Sequence, residues 1–204
     1  MRDELIKAAI EKFGRRGYDA VGTREIAAAV DTPMSSITYH FGGKEGLYLA
    51  AAEHIFDFLQ ETVGPLMEEM PGPDASREER LALICRVLRG MGAMMLSEKS
   101  ASFALFISRE QQLPTPQVLD LMSARVLPMM RLLVEQVANL RPDLSEDEAK
   151  AVTLYLFGMV IALRHTRASM RLLFECEKFT EKKQGMLLDQ LEQSVRAILD
   201  RGTG

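Results

Sequence analysis

Thr32-Pro33-Met34-Ser35-Ser36-Ile37-Thr38-Tyr39-His40-Phe41-Gly42-Gly43-Lys44 is the stretch whose reading decides the fold. It reads as a very short helix, a glycine turn and the head of a longer helix. Thr32 can cap the short helix, and Pro33 suits a first turn, where an N–H has no partner to lose. Ile37 and Phe41, four apart, share one side and can be buried. Ser35, Ser36, Thr38, Tyr39 and His40 remain on the other side. All of them hydrogen-bond and none is an acid, which suits a helix that enters a DNA groove. Lys44 would stand at a helix N-terminus, where a cation is mildly unfavourable unless an anion is bound. A DNA phosphate resolves that conflict.

Outward from this stretch, the composition sets limits. The chain has 204 residues, 47% hydrophobic and 26% charged, which predicts a packed core. The net charge of −4 argues against an indiscriminate polyanion binder. Residues 1–50 hold seven Lys/Arg and seven Asp/Glu, so the whole negative surplus falls on the remainder. DNA affinity must therefore come from a few placed groups, doubled in a dimer. Cys85 and Cys176 fall in helical patterns and lack metal-ligand spacing; both read as small buried apolar residues. The start, Met1-Arg2-Asp3-Glu4, leads into an amphipathic helix rather than an apolar signal segment. The most apolar run, 152–163, is too short to span a bilayer. A cytoplasmic protein that does not engage a membrane is expected.

The hydrophobic pattern predicts an all-α fold of about nine helices: 3–16, 22–30, the opening stretch, one from 44 interrupted at Pro65, 77–98, 102–112, 117–140 kinked at Pro128, 145–173 and 180–201. Met70 to Asp74 reads as a loop and the one hinge, and 202–204 as a frayed end. Ser145 and Glu148 form a capping box. The expected organisation is a three-helix helix-turn-helix domain over 1–46, followed by a larger helical domain over 47–204.

Three runs carry a specific resemblance. They are Phe13-Gly14-Arg15-Arg16-Gly17-Tyr18-Asp19-Ala20, Thr23-Arg24-Glu25-Ile26-Ala27, and Ile37 through Lys44 continued by Glu45-Gly46-Leu47. Together they resemble the DNA-binding domain of TetR/AcrR-type regulators. The segment 106–112 and the kink at Pro128 are similar to the CecR branch. The resemblance implies that Thr23 and Arg24 touch DNA at the start of the second helix. It implies that Met34, Ser35 and Ser36 face the groove, and that Tyr39, His40 and Lys44 hold phosphates. Thr38 departs from the pattern, since many members carry tyrosine there, and Asp31 stands where glycine is commoner. Arg24, Met34 and Ser36 are the expected base readers. Serine discriminates bases weakly, so DNA shape carries part of the specificity.

The larger domain is less explicit. Its methionines serve either as adaptable core filler or as the wall of a cavity for an apolar ligand. Phe103, Phe106, Arg109, Met122, Met129, Tyr155, Met159 and His165 are the candidates for such a pocket. Arg109-Glu110 reads equally as a solvated charge pair, and Arg164-His165-Thr166-Arg167 as an interface face. Apolar stripes containing Tyr155, Met159, Leu163, Leu187, Leu191 and Val195 predict a homodimer surface on the last two helices. The resulting expectation is a ligand-responsive transcriptional repressor. It would bind a palindromic double-stranded DNA operator as a homodimer, with a small effector of unknown identity altering affinity. The alternative is a constitutive helix-turn-helix dimer without an effector. No cofactor and no metal are expected. No nucleophile–base spacing and no phosphate-cradling loop are present, and His40, His54 and His165 lack ligand spacing, so an enzyme is not expected.

Overall fold

The computed structural model describes residues 1–69, 71–72 and 74–200, with the side chain of Lys99 left aside. These residues are helical and contain no strand. Eleven α-helices follow one another: α1 (Arg2–Arg16), α2 (Thr23–Ala29), α3 (Ser35–Phe41), α4 (Lys44–Glu68), α5 (Arg77–Leu96), α6 (Ala101–Gln112), α7 (Pro116–Arg125), α8 (Leu127–Leu140), α9 (Glu146–His165), α10 (Arg167–Leu173) and α11 (Glu181–Leu199). One 3-10 turn, Glu98–Ser100, joins α5 to α6. The all-α expectation holds, with two more helices than the pattern suggested. Met70, Pro73 and the 202–204 tail lie outside the described residues, and with them part of the expected hinge loop and the expected frayed end.

The two additional helices have local causes. The predicted helix over 117–140 is split at Val126, because Pro128 has no N–H and fits only the first turn of a new helix. The predicted helix over 145–173 breaks at Thr166, whose hydroxyl donates to the Ala162 carbonyl (2.7 Å). By contrast, α4 is not interrupted at Pro65. The proline sits in its last turn, where a missing N–H removes little. Cys85 is buried in α5, as expected, whereas Cys176 follows α10 in the connection to α11 rather than in a helix.

The chain divides into two compact units, residues 1–60 with 99–126, and residues 61–98 with 127–204. In the first, Leu5, Ile6, Ala9, Ile10 and Phe13 of α1 meet Ile26, Ile37, Leu47, Ala51 and Phe106 in one buried core. The polar face of α6 is engaged as firmly as its apolar one. Arg109 donates from Nε to the Gly14 carbonyl (2.9 Å) and from Nη2 to that of Arg15 (3.0 Å). A cation thereby caps the C-terminal end of α1, where unpaired carbonyls concentrate negative charge. Gly14 lets the helices approach this closely, since a Cβ there would stand 3.1 Å from the Phe106 backbone nitrogen.

In the second unit, α5 is the central helix and packs against α8, α9 and α11. Its Leu83, Ile84, Val87, Leu88 and Met91 are buried. Capping boxes start α5 (Ser76 with Glu79) and α9 (Ser145 with Glu148), the second as the sequence indicated. Arg77 donates to the Leu140 and Leu199 carbonyls, and Arg141 to that of Ile198. Two arginines thus satisfy the last carbonyls of α8 and α11. Among the described residues no helix is long and apolar enough to cross a membrane.

Candidate nucleic-acid interface

α2 and α3 are joined by residues 30–34, and the corner is made by Asp31 at φ 49°. That left-handed conformation is the one glycine adopts most readily and Asp tolerates better than most residues. It accounts for an aspartate at a position where the resemblance makes glycine commoner. Thr32 does not cap α3 through a helix amide; its hydroxyl shares a hydrogen bond with that of Ser36 (3.1 Å). The Pro33 carbonyl accepts from the Ser36 N–H (3.0 Å), which opens the helix.

Ile37 is fully buried and Phe41 partly so, and these two anchor α3 to the core. The remainder of the helix faces outward. Tyr39 is 85% exposed and Met34 48%, and Ser35, Thr38 and His40 are exposed as well. Arg24 on α2 is also exposed, while Thr23 and Ser36 are half-buried. Among the described residues, the side chains of Arg24, Ser35, Thr38, Tyr39 and His40 make no hydrogen bond or ion pair. The Tyr39 and His40 rings meet edge to face at 5.0 Å. Of the polar face read from the sequence, Ser35, Thr38, Tyr39 and His40 are therefore exposed with their donors and acceptors uncommitted among the described residues, while Ser36 is half-buried and shares its hydroxyl with Thr32.

α3 ends at Gly42 (φ 73°), and α4 starts two residues later. Gly46 in the first turn of α4 lies against the end of α3, where a Cβ would fall 1.9 Å from the Phe41 carbonyl oxygen. No other residue allows that approach. Lys44 is half-buried at the head of α4, with Nζ 4.4 Å from the centre of the Tyr18 ring. Tyr18 itself is pushed above its ordinary pKa by burial, then by the charges of Glu45 and Asp19.

One contribution of α2 was not legible in the sequence. Glu25 accepts from Lys12 (3.0 Å) and from Arg16 at both oxygens (2.8 Å each). Its carboxyl is held below the usual range, first by the Lys12 hydrogen bond, which outweighs the opposing effect of burial, and then by the Arg16 charge. The acid on the helix next to α3 is thereby neutralised, and α1 is tied to α2. The spacing of Lys12 and Arg16, four apart on one face of α1, was the available signal.

The candidate pocket residues are divided between the two units. Phe103, Phe106, Arg109 and Met122 belong to the first unit, and Met129, Tyr155, Met159 and His165 to the second. Phe106 is core and packs on Tyr48 (ring centres 4.8 Å apart), and Phe103 packs on Phe58. Arg109 is committed to α1, and Glu110, far from being solvated, is 2% exposed. Of the expected dimer residues, Leu191 and Val195 are buried within the chain, with Leu191 beside Gly92 on α5, so they are core rather than interface. Leu163 and Leu187 pack around Leu96, Met170 and Phe179. Tyr155 is 69% exposed, together with Leu154 next to it.

Comparisons with known proteins agree with this geometry. Residues 5–51 match the family model described as bacterial regulatory proteins, tetR family. Residues 77–201 match that of the C-terminal domain of the HTH-type transcriptional dual regulator CecR. The chain is 33% identical to the CecR dual regulator of Shigella flexneri, over 97% of its own length and 91% of that protein. It is 28% identical to the HTH-type transcriptional repressor NicS of Pseudomonas putida over 41% of this chain and 39% of that one. Among solved structures, AibR in complex with isovaleryl coenzyme A and operator DNA superposes with a TM-score of 0.71 at 15% identity, covering 95% of this chain and 96% of AibR. A TetR-family regulator from Bordetella parapertussis gives 0.69 at 17% identity, covering 95% and 93%. The chain belongs to the TetR family of bacterial regulatory proteins, with a C-terminal domain of the CecR type. It is a transcriptional regulator.

Proposed function

We propose that this regulator is a cytoplasmic homodimeric repressor. It binds a palindromic operator, and a small, largely apolar effector alters its grip. The observation that carries this reading is the acid-free face of α3, on which Ser35, Thr38, Tyr39 and His40 are exposed and, among the described residues, make no hydrogen bond or ion pair. In this reading residues 1–46 contact DNA and 47–204 serve effector binding and dimerisation. Arg24, Met34 and Ser36 read bases, helped by Thr23, Ser35 and Thr38, while Tyr39, His40 and Lys44 hold phosphates. A two-fold dimer sets its two α3 helices roughly 34–36 Å apart, one turn of the duplex.

The dimer contact centres on the exposed face of α9 around Leu154 and Tyr155. That AibR was solved with isovaleryl coenzyme A and operator DNA together supports an effector for this relative too. With Phe106 and Arg109 committed to the first unit, Met129, Tyr155, Met159 and His165 are the effector candidates of the second. An effector acts only through different affinity for DNA-competent and DNA-incompetent states. Selection of bound fragments from the host genome, followed by footprinting, tests the reading. A palindrome with half-sites one helical turn apart, protected by a dimer, is expected. Protection of a single half-site by a monomer overturns it.

A further inference from the structure

The first unit contains a cavity of about 260 Å³ that the DNA-binding reading does not use. Tyr18, Tyr48 and Val118 give it an aromatic and apolar lining, and Glu45, Thr115 and Gln117 supply its polar groups. The charge of this lining is one-sided, since among the described residues no Lys, Arg or His lines the cavity. A second carboxyl lies immediately behind the wall. Glu110, 2% exposed, accepts from the Tyr48 hydroxyl, from the Thr115 N–H (2.9 Å) and from the Thr115 hydroxyl (3.1 Å). All three donors are neutral. The neighbouring Arg109 guanidinium is held on the carbonyls of Gly14 and Arg15 instead. A buried carboxylate without a cationic partner is costly, and a cation brought near it offsets that cost.

The aromatic wall already attracts positive charge, because Lys44 Nζ rests over the Tyr18 ring. Glu45 is available at the surface of the cavity, tied among the described residues only to Gln117, whose amide donates to Glu45 Oε1 (2.7 Å).

From this arrangement we propose that the cavity binds a small organic monocation with an apolar body, such as an arylalkyl ammonium. Glu45 receives the charged end, Tyr18 and Tyr48 the apolar body. The ligand displaces the Gln117 amide from Glu45 and competes with Lys44 for the Tyr18 ring. The site is distinct from the effector reading above and is tested without DNA. Phenethylammonium and its neutral near-isostere 2-phenylethanol are titrated separately into the full-length protein by calorimetry. The cation is expected to bind at least about tenfold tighter than the alcohol. Glu45→Gln should weaken the cation at least about tenfold while leaving the alcohol unchanged. Gln117→Ala should tighten the cation, because it frees the Glu45 oxygen. Both substitutions are at exposed positions, and thermal melts of the two variants establish that each is folded. Equal binding of cation and alcohol, no measurable binding of the cation, or an affinity indifferent to both substitutions overturns the proposal.

Discussion

α3 and α6 carry the same kinds of polar side chain to opposite ends. On α3, Ser35, Thr38, Tyr39 and His40 face outward with no hydrogen bond or ion pair among the described residues. On α6, Arg109 and Glu110 are both engaged inside the first unit, one on the α1 carbonyls and the other on Tyr48 and Thr115. Hydrogen-bonding capacity does not separate the two helices. What separates them is whether a partner lies within reach. α6 crosses the end of α1 and satisfies its unpaired carbonyls, whereas α3 is anchored by Ile37 and Phe41 and turns Ser35, Thr38, Tyr39 and His40 away from the core. Uncommitted groups on a rigid helix can be given to a ligand without first breaking internal bonds. Committed groups hold the scaffold.

The contrast can be broken most forcefully at the joint that aims α3. Gly46→Val places a side chain on the Phe41 carbonyl and should destabilise the first unit by about 4 kcal/mol, read from the urea midpoint. On the scaffold side, Glu110→Ala leaves the Tyr48 hydroxyl and the Thr115 N–H buried without an acceptor. A loss of about 2–3 kcal/mol is expected in the same measurement, and a loss near zero would mean that water replaces the carboxylate.

The uncommitted helix should behave in the reverse manner. Tyr39→Ala should leave the midpoint within about 0.5 kcal/mol of the parent and weaken DNA binding about tenfold in a gel-shift titration. Lys44→Ala should weaken binding to all sequences alike and reduce the salt slope by about one unit; an unaltered slope removes Lys44 from the phosphate contacts. The smallest effect concerns Glu25. Its carboxyl titrates below the ordinary 4.5 in the folded chain, so the unfolded chain binds the proton more readily. The stabilisation is therefore present above about pH 4.5 and is lost as the pH falls through the lower folded value. Glu25→Gln should flatten the acid limb of the stability profile and leave the neutral region little changed.

Much of the fold was readable because helices announce themselves through periodicity. Leu5, Ile6, Ala9, Ile10 and Phe13 repeat at helical spacing on α1, and Ser145 with Glu148 marks the start of α9. The breaks at Val126 and Thr166 were harder to read, since Pro128 is compatible with either a kink or a new first turn, and Thr166 is not a strong helix breaker. For the candidate site, the direction in which Ile37 and Phe41 point already implied the opposite face.

The sequence by itself determined the local features of this protein: an all-helical chain, a short acid-free helix after a tight corner, and a lysine at the head of the next helix. These follow from spacing within a few residues, where backbone geometry fixes which side chains share a face. Only the tertiary structure decided which polar groups remained free. Arg109 and Glu110 meet partners 94 and 95 residues before Arg109 and 62 residues before Glu110, and Leu191 of α11 lies against Gly92 of α5. No periodicity encodes such meetings, because they depend on where helices distant in sequence cross.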